Sequence, residues 1–137
     1  MAHRLPIKVR FYELDPYNHV NHSVYIQYFE MARIDLLESI GFGLLRLEDL
    51  GFRFVVTGIT TRFLHSAGLG EELAVETEVK SVRRATSVWQ QRLTRADELL
   101  ATEIVDAALT DLAGRPTRLP AALTDALQPY LVPAPPP

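Results

Sequence analysis

Between Asp15 and His22 the chain reads D-P-Y-N-H-V-N-H, which crowds one carboxylate, Asp15, with two histidines and two asparagines. A carboxylate can deliver oxygen to an electrophilic carbon, by attacking it or by activating a water. A helix-like pattern starts directly afterwards. The first backbone N–H groups of a helix have no intrahelical partner and sit at the positive end of its dipole, so they can hold a developing anion. Together these groups suit hydrolysis of an activated acyl group. With no cysteine in the chain, a thiol nucleophile, a thiolate–zinc site and a disulfide are excluded. His19 and His22 are three apart but outside any His-Glu-x-x-His pattern, so no metal is expected. The residue types alone also fit a blander account. An Asp before Pro is a common turn former, and Asn18 and Asn21 suit a turn or a helix cap.

The elements that must position these groups follow from periodicity. Leu5, Ile7, Val9 and Phe11 alternate with charged residues, which predicts a strand over residues 4–14, ended by Pro16. Tyr25, Tyr28, Phe29, Ala32, Leu36 and Ile40 recur at three- and four-residue steps, which predicts a helix over 23–40 stopped by Gly41. Glu30 and Arg33 lie off that stripe and are spaced for a surface ion pair. Residues 44–51 predict a helical turn. Strands are expected over 52–63, bent at Gly58, and then over 73–82, 86–94 and 99–110, joined by tight turns as a meander. A short helix is expected over 119–130. The order is α+β, with one helix against an antiparallel sheet, in a single domain over 1–132 and a loose Pro-rich tail over 133–137.

The pattern D-x3-H-V-N-x3-Y-x2-Y-F-E-x-A-R, running from Asp15 to Arg33, resembles the signature of the hotdog-fold acyl-CoA thioesterases of the 4-hydroxybenzoyl-CoA thioesterase type. The likeness covers almost the whole chain, through K-V-R-F-Y-E-L-D, R-F-L-H-S-A-G-L-G-E-E-L-A-V-E-T-E-V, V-R-R-A-T-S and D-L-A-G-R-P-T-R-L-P. The resemblance implies a helix wrapped by a five- or six-stranded antiparallel sheet. It also implies subunits paired edge to edge, with sites at their interfaces. It implies that Asp15 is the nucleophile or general base and that the His22 backbone N–H polarises the thioester carbonyl. His22 also matches a histidine found here in the bacterial thioesterases of the Tol–Pal gene cluster type. His19 and Asn21 fit the wider H-V-N form of the superfamily, seen also in acyl-carrier-protein thioesterases. His19, Asn21 and Tyr25 are therefore candidate substrate contacts. Arg83 and Arg84, otherwise a solvated hairpin tip, are candidates for coenzyme A phosphates.

The activity implied is hydrolysis of an acyl-CoA to free acid and coenzyme A, with no cofactor. The alternatives are a thioesterase acting on acyl carrier protein, a non-catalytic acyl-binding or regulatory module on the same fold, and a dehydratase. The net charge of −3 gives no reason to expect nucleic acid, and no stretch approaches the length of a membrane span. The N-terminus lacks the apolar run of a signal peptide, so a cytoplasmic protein is expected, and the resemblance implies that it is a homo-oligomer.

Overall fold

A computed structural model of the chain describes residues 1–133, so the tail beyond Pro133 lies outside the described residues. The elements are β1 (His3–Lys8), a 3₁₀ turn (Phe11–Glu13), α1 (His22–Ser39), α2 (Leu44–Asp49), β2 (Phe52–Phe63), β3 (Glu72–Val82), β4 (Thr86–Arg95), β5 (Glu98–Asp111), α3 (Ala121–Leu127) and a last 3₁₀ turn (Gln128–Tyr130). The strands form one sheet in the order β1-β3-β4-β5-β2, and every pairing is antiparallel. Helix α1, of 18 residues, packs on β1, β3 and β5. This is the α+β hotdog class expected from the residue pattern.

Local chemistry sets most boundaries. Gly41, at φ 85°, ends α1 in a Schellman arrangement: its N–H donates to Glu38 O and that of Phe42 to Leu37 O. The bend expected at Gly58 is a β-bulge, where the β2–β5 register shifts between Val56 and Gly58. The first strand departs from expectation. It stops at Lys8, because the Arg10 N–H donates to Glu13 Oε1 and the Glu13 N–H to Arg10 O, closing a 3₁₀ turn. Phe11, which would continue the alternation, is 75% exposed. The final helix is also shorter, and the chain beyond it returns to the sheet, where Val132 N–H donates to Val79 O.

A second departure concerns Arg33. It does not point outward to Glu30. Its guanidinium turns inward and pairs with Glu103 of β5 at 3.0 Å. On the inner face of the sheet, Thr61, Glu103, Gln91, Thr77 and His3 stand in register, one from each strand. Thr61 Oγ1 donates to Glu103 Oε1, Arg33 Nη1 to both Glu103 Oε2 and Gln91 Oε1, and Gln91 Nε2 to Thr77 Oγ1 and Phe29 O. This polar row divides the core. Tyr25, Phe29, Leu73, Val75 and Leu93 pack on one side, and Leu36, Val79, Trp89, Leu109 and Leu123 on the other.

Candidate active site

The loop carrying Asp15 is a closed hairpin. Leu14 and Val20 form an antiparallel bridge, the Asp15 N–H donates to His19 O at 2.7 Å, and the Asn18 N–H donates to Asp15 O at 3.0 Å. Asn18 takes a left-handed φ of 63°, which asparagine tolerates better than most residues. The hairpin is tied down from outside by Val20 N–H to Ala67 O and Asn21 N–H to Glu13 O. Asp15 Oδ1 accepts from the N–H groups of Tyr17 and His19, at 2.9 and 3.2 Å. The carboxylate is thus held as a turn former through one oxygen. Among the described residues no protein donor reaches the other, Oδ2.

Helix α1 begins at His22, and Asn21 caps it. The Asn21 Oδ1 accepts from the Ser23 N–H at 3.0 Å and from the Ser23 hydroxyl at 2.8 Å. The Val24 N–H donates to Asn21 O. The cap therefore satisfies Ser23 and Val24, while among the described residues the His22 N–H has no protein acceptor. That free donor lies at the positive end of the helix.

Asp15, His19, His22 and Tyr25 line one recess together with Val20, Phe63, Leu64, His65 and Ser66. Tyr25 organises its floor. Its ring stacks on Phe63 with centroids 5.7 Å apart, and its hydroxyl donates to His65 O at 3.0 Å. Burial pushes the Tyr25 pKa up, so the hydroxyl stays a donor at neutral pH. The His22 ring meets Phe63 edge-on. Behind Tyr25, the Tyr28 hydroxyl donates to Glu13 Oε1 at 2.8 Å, which braces the helix against the turn before the hairpin. Burial and then Glu13 raise the Tyr28 pKa, so this bond also persists.

Of the residues expected at the site, the structure brings together Asp15, His19, His22 and Tyr25. Asn21 is adjacent in sequence, but its side chain is occupied by the cap. Arg83 and Arg84 stand apart, exposed in the β3–β4 turn, where the Arg83 N–H donates to Thr86 O and Arg84 O accepts from Leu119. The 11 residues of β3 separate this turn from the strand end nearest the recess, roughly 35 Å at strand rise. The recess also takes in Phe63, Leu64, His65 and Ser66, which fall in the R-F-L-H-S-A-G stretch of the likeness but are not marked by it as site residues. Their signal is topological: β2 ends beside the start of α1 only because β2 pairs with β5.

Among the described residues, no group of three or more His, Cys, Asp or Glu could hold a metal, and no helix is long and apolar enough to cross a membrane.

Residues 9–127 match the model of the thioesterase-like superfamily. The chain is 34% identical over 108 residues to the acyl-CoA thioesterase YbgC of Haemophilus influenzae, covering 78% of this chain and 79% of that one. It is 31% identical over 105 residues to the long-chain acyl-CoA thioesterase FadM of Escherichia coli, covering 76% of each. A probable thioesterase from Bartonella henselae superposes with a TM-score of 0.84 at 26% identity, over 88% of this chain and 100% of that one. With an antiparallel sheet packed on one helix, and Asp15 and His22 lining one recess where that helix starts, this chain belongs to the thioesterase-like superfamily.

Proposed function

We propose that this protein hydrolyses acyl-CoA thioesters to the free acid and coenzyme A, with Asp15 as the catalytic carboxylate and the His22 N–H as oxyanion donor. One observation carries the reading: Asp15 and His22 line the same recess, and among the described residues neither Asp15 Oδ2 nor the His22 N–H has a protein partner. Oxygen adds to the thioester carbon, either from Asp15 Oδ2 directly or from a water whose proton Asp15 accepts. Negative charge then passes to the carbonyl oxygen, where the His22 N–H holds it. Collapse expels the coenzyme A thiolate, which takes up a proton. After direct attack, water must still hydrolyse the acyl–Asp15 anhydride. An acyl-CoA panel assayed for free thiol tests this. Tight binding without thiol release would leave an acyl-binding module instead. The reading places the protein in the cytoplasm with its coenzyme A substrates.

A homodimer completes the proposal. β2 is an edge strand, and Val55, Val56, Ile59, Phe63 and Leu64 on or just after it are each more than 40% exposed. An open apolar edge of this length invites a second strand. A symmetric dimer pairing β2 with its copy would cover it. The expected species in light scattering at micromolar concentration is at least a dimer, and a monodisperse monomer would rule it out.

Arg83 and Arg84 can join the site only from a second subunit. If they hold the nucleotide phosphates there, the double alanine variant should raise KM for acyl-CoA and leave kcat nearly unchanged, because the contact is the same in ground and transition states. A short acyl-pantetheine should be hydrolysed as before. Equal losses on both substrates would remove these arginines from the phosphate site.

A further inference from the structure

Two recesses lie along helix α1 and the inner face of β2. At one end is the recess holding Asp15 and His22, walled by Phe63. At the other is a more apolar recess formed by Ile34 and Leu37 of α1, Leu44 of α2, Phe54 and Val56 of β2, and Trp89 of β4. Phe63, Ile59 and Val56 share the inner face of β2 with Thr61. Along β2, Thr61 falls between Phe63 of the first recess and Val56 of the second, and there Thr61, Glu103 of β5 and Arg33 of α1 form a hydrogen-bonded chain.

We propose that this Thr61–Glu103–Arg33 crossbar is the specificity-determining element for acyl length, ending the acyl compartment and keeping alkyl chains out of the apolar recess beyond. The inference rests on the thioesterase reading above. Thr61 stands two residues before Phe63 along β2, about 7 Å at strand rise. Arg33 is 11 residues beyond His22, but its side chain leans back toward the helix N-terminus. The guanidinium therefore lies about 11 Å along the axis from the His22 N–H. An alkyl chain attached at the thioester carbon meets the crossbar within that span.

The crossbar resists being covered by hydrocarbon. The Glu103 side chain is fully buried, with one oxygen accepting from Thr61 and the other from Arg33. Only Nη1 of Arg33 has a protein partner among the described residues, and Arg33 lines the far recess. An alkyl chain laid over its remaining N–H groups would strip them of water and return no hydrogen bond, which is unfavourable. Breaking the pair to let the chain through would strand a buried charge.

The test compares hexanoyl-CoA, short enough to end before the crossbar, with lauroyl-CoA, long enough to pass it. It uses the wild-type protein and the double variant Arg33→Met/Glu103→Leu, which removes both charges together and leaves apolar side chains where the polar bar stood. The wild type should favour hexanoyl-CoA in kcat/KM by about tenfold or more. In the double variant the lauroyl-to-hexanoyl ratio should rise about ten- to a hundredfold. The ratio cancels any general loss of folded protein, and circular dichroism checks that the variant is folded. A wild type that uses both substrates equally overturns the proposal without any variant. So does a folded double variant with an unchanged ratio. No thiol release from either substrate would overturn the thioesterase reading itself, and this inference with it.

Discussion

Asp15→Asn should leave a folded protein that binds acyl-CoA and hydrolyses it about 10²–10⁴-fold more slowly, the usual contribution of a general base. The substitution keeps the shape of the side chain. Its carbonyl oxygen can still accept from the Tyr17 and His19 N–H groups, so the hairpin has no reason to open. It removes the charge, the basicity and most of the nucleophilicity of the oxygen that the turn leaves without a donor among the described residues. The loss should therefore fall on kcat and spare KM. His22→Ala is the contrast. The proposed oxyanion donor is a backbone N–H, which the alanine variant retains, and the Asn21 cap on Ser23 and Val24 is untouched. A fall of only a few-fold is expected there, arising from the lost ring contact with Phe63. Turnover of Asp15→Asn within about threefold of wild type would sink the mechanism. A His22→Ala loss as deep as that of Asp15→Asn would make the imidazole itself a participant.

The half of the site built from contiguous residues is legible in the sequence alone. Hairpin, cap and first helical turn are encoded within Leu14–Tyr25, and local hydrogen bonds there dictate local geometry. The half built by strand pairing is not. Nothing in the spacing of Phe63, Leu64, His65 and Ser66 places them opposite Asp15; the pairing of β2 with β5 does that. Likewise Arg83 and Arg84 read as binding residues because of their charge, and only the length of β3 shows that one chain cannot bring them to Asp15. Phe11 misleads for a related reason. Two-residue alternation predicts a strand, but the Glu13 side chain closes the backbone of Arg10 into a turn first. Arg33 is the hardest to read. An Arg three residues after a Glu on a helix looks like a surface pair, and its true partner lies 70 residues away.

Removing Arg33 alone should cost about 3–5 kcal/mol of stability at neutral pH, the second large effect expected here. The Arg33 side chain is 11% exposed and that of Glu103 is 0% exposed, so Arg33→Met strands a carboxylate where water cannot reach it. The deficit should depend on pH, with a sign fixed by Glu103. Burial already holds the Glu103 pKa above the ordinary carboxyl range, against the lowering pull of Thr61 and Arg33. Without Arg33 it rises further. A carboxyl whose folded pKa lies above its unfolded value favours folding most when protonated, and it loses that contribution as pH climbs through the folded value. Arg33→Met should therefore approach wild-type stability on acidification toward the unfolded carboxyl pKa and fall furthest behind it near neutrality. Denaturant unfolding across that range measures the trend, and a deficit that grows on acidification would refute it. The double variant Arg33→Met/Glu103→Leu should be less damaged than Arg33→Met alone, within about 1–3 kcal/mol of wild type, because no charge is left unpaired. Gln91 keeps its donations to Phe29 O and Thr77 Oγ1 and loses only the bond it accepts from Arg33. A double variant that nearly matches wild type would mean the pair adds little net stability. Its place between the two recesses, where the proposal has it limit acyl length, would then be a physical reason for burying two charges there.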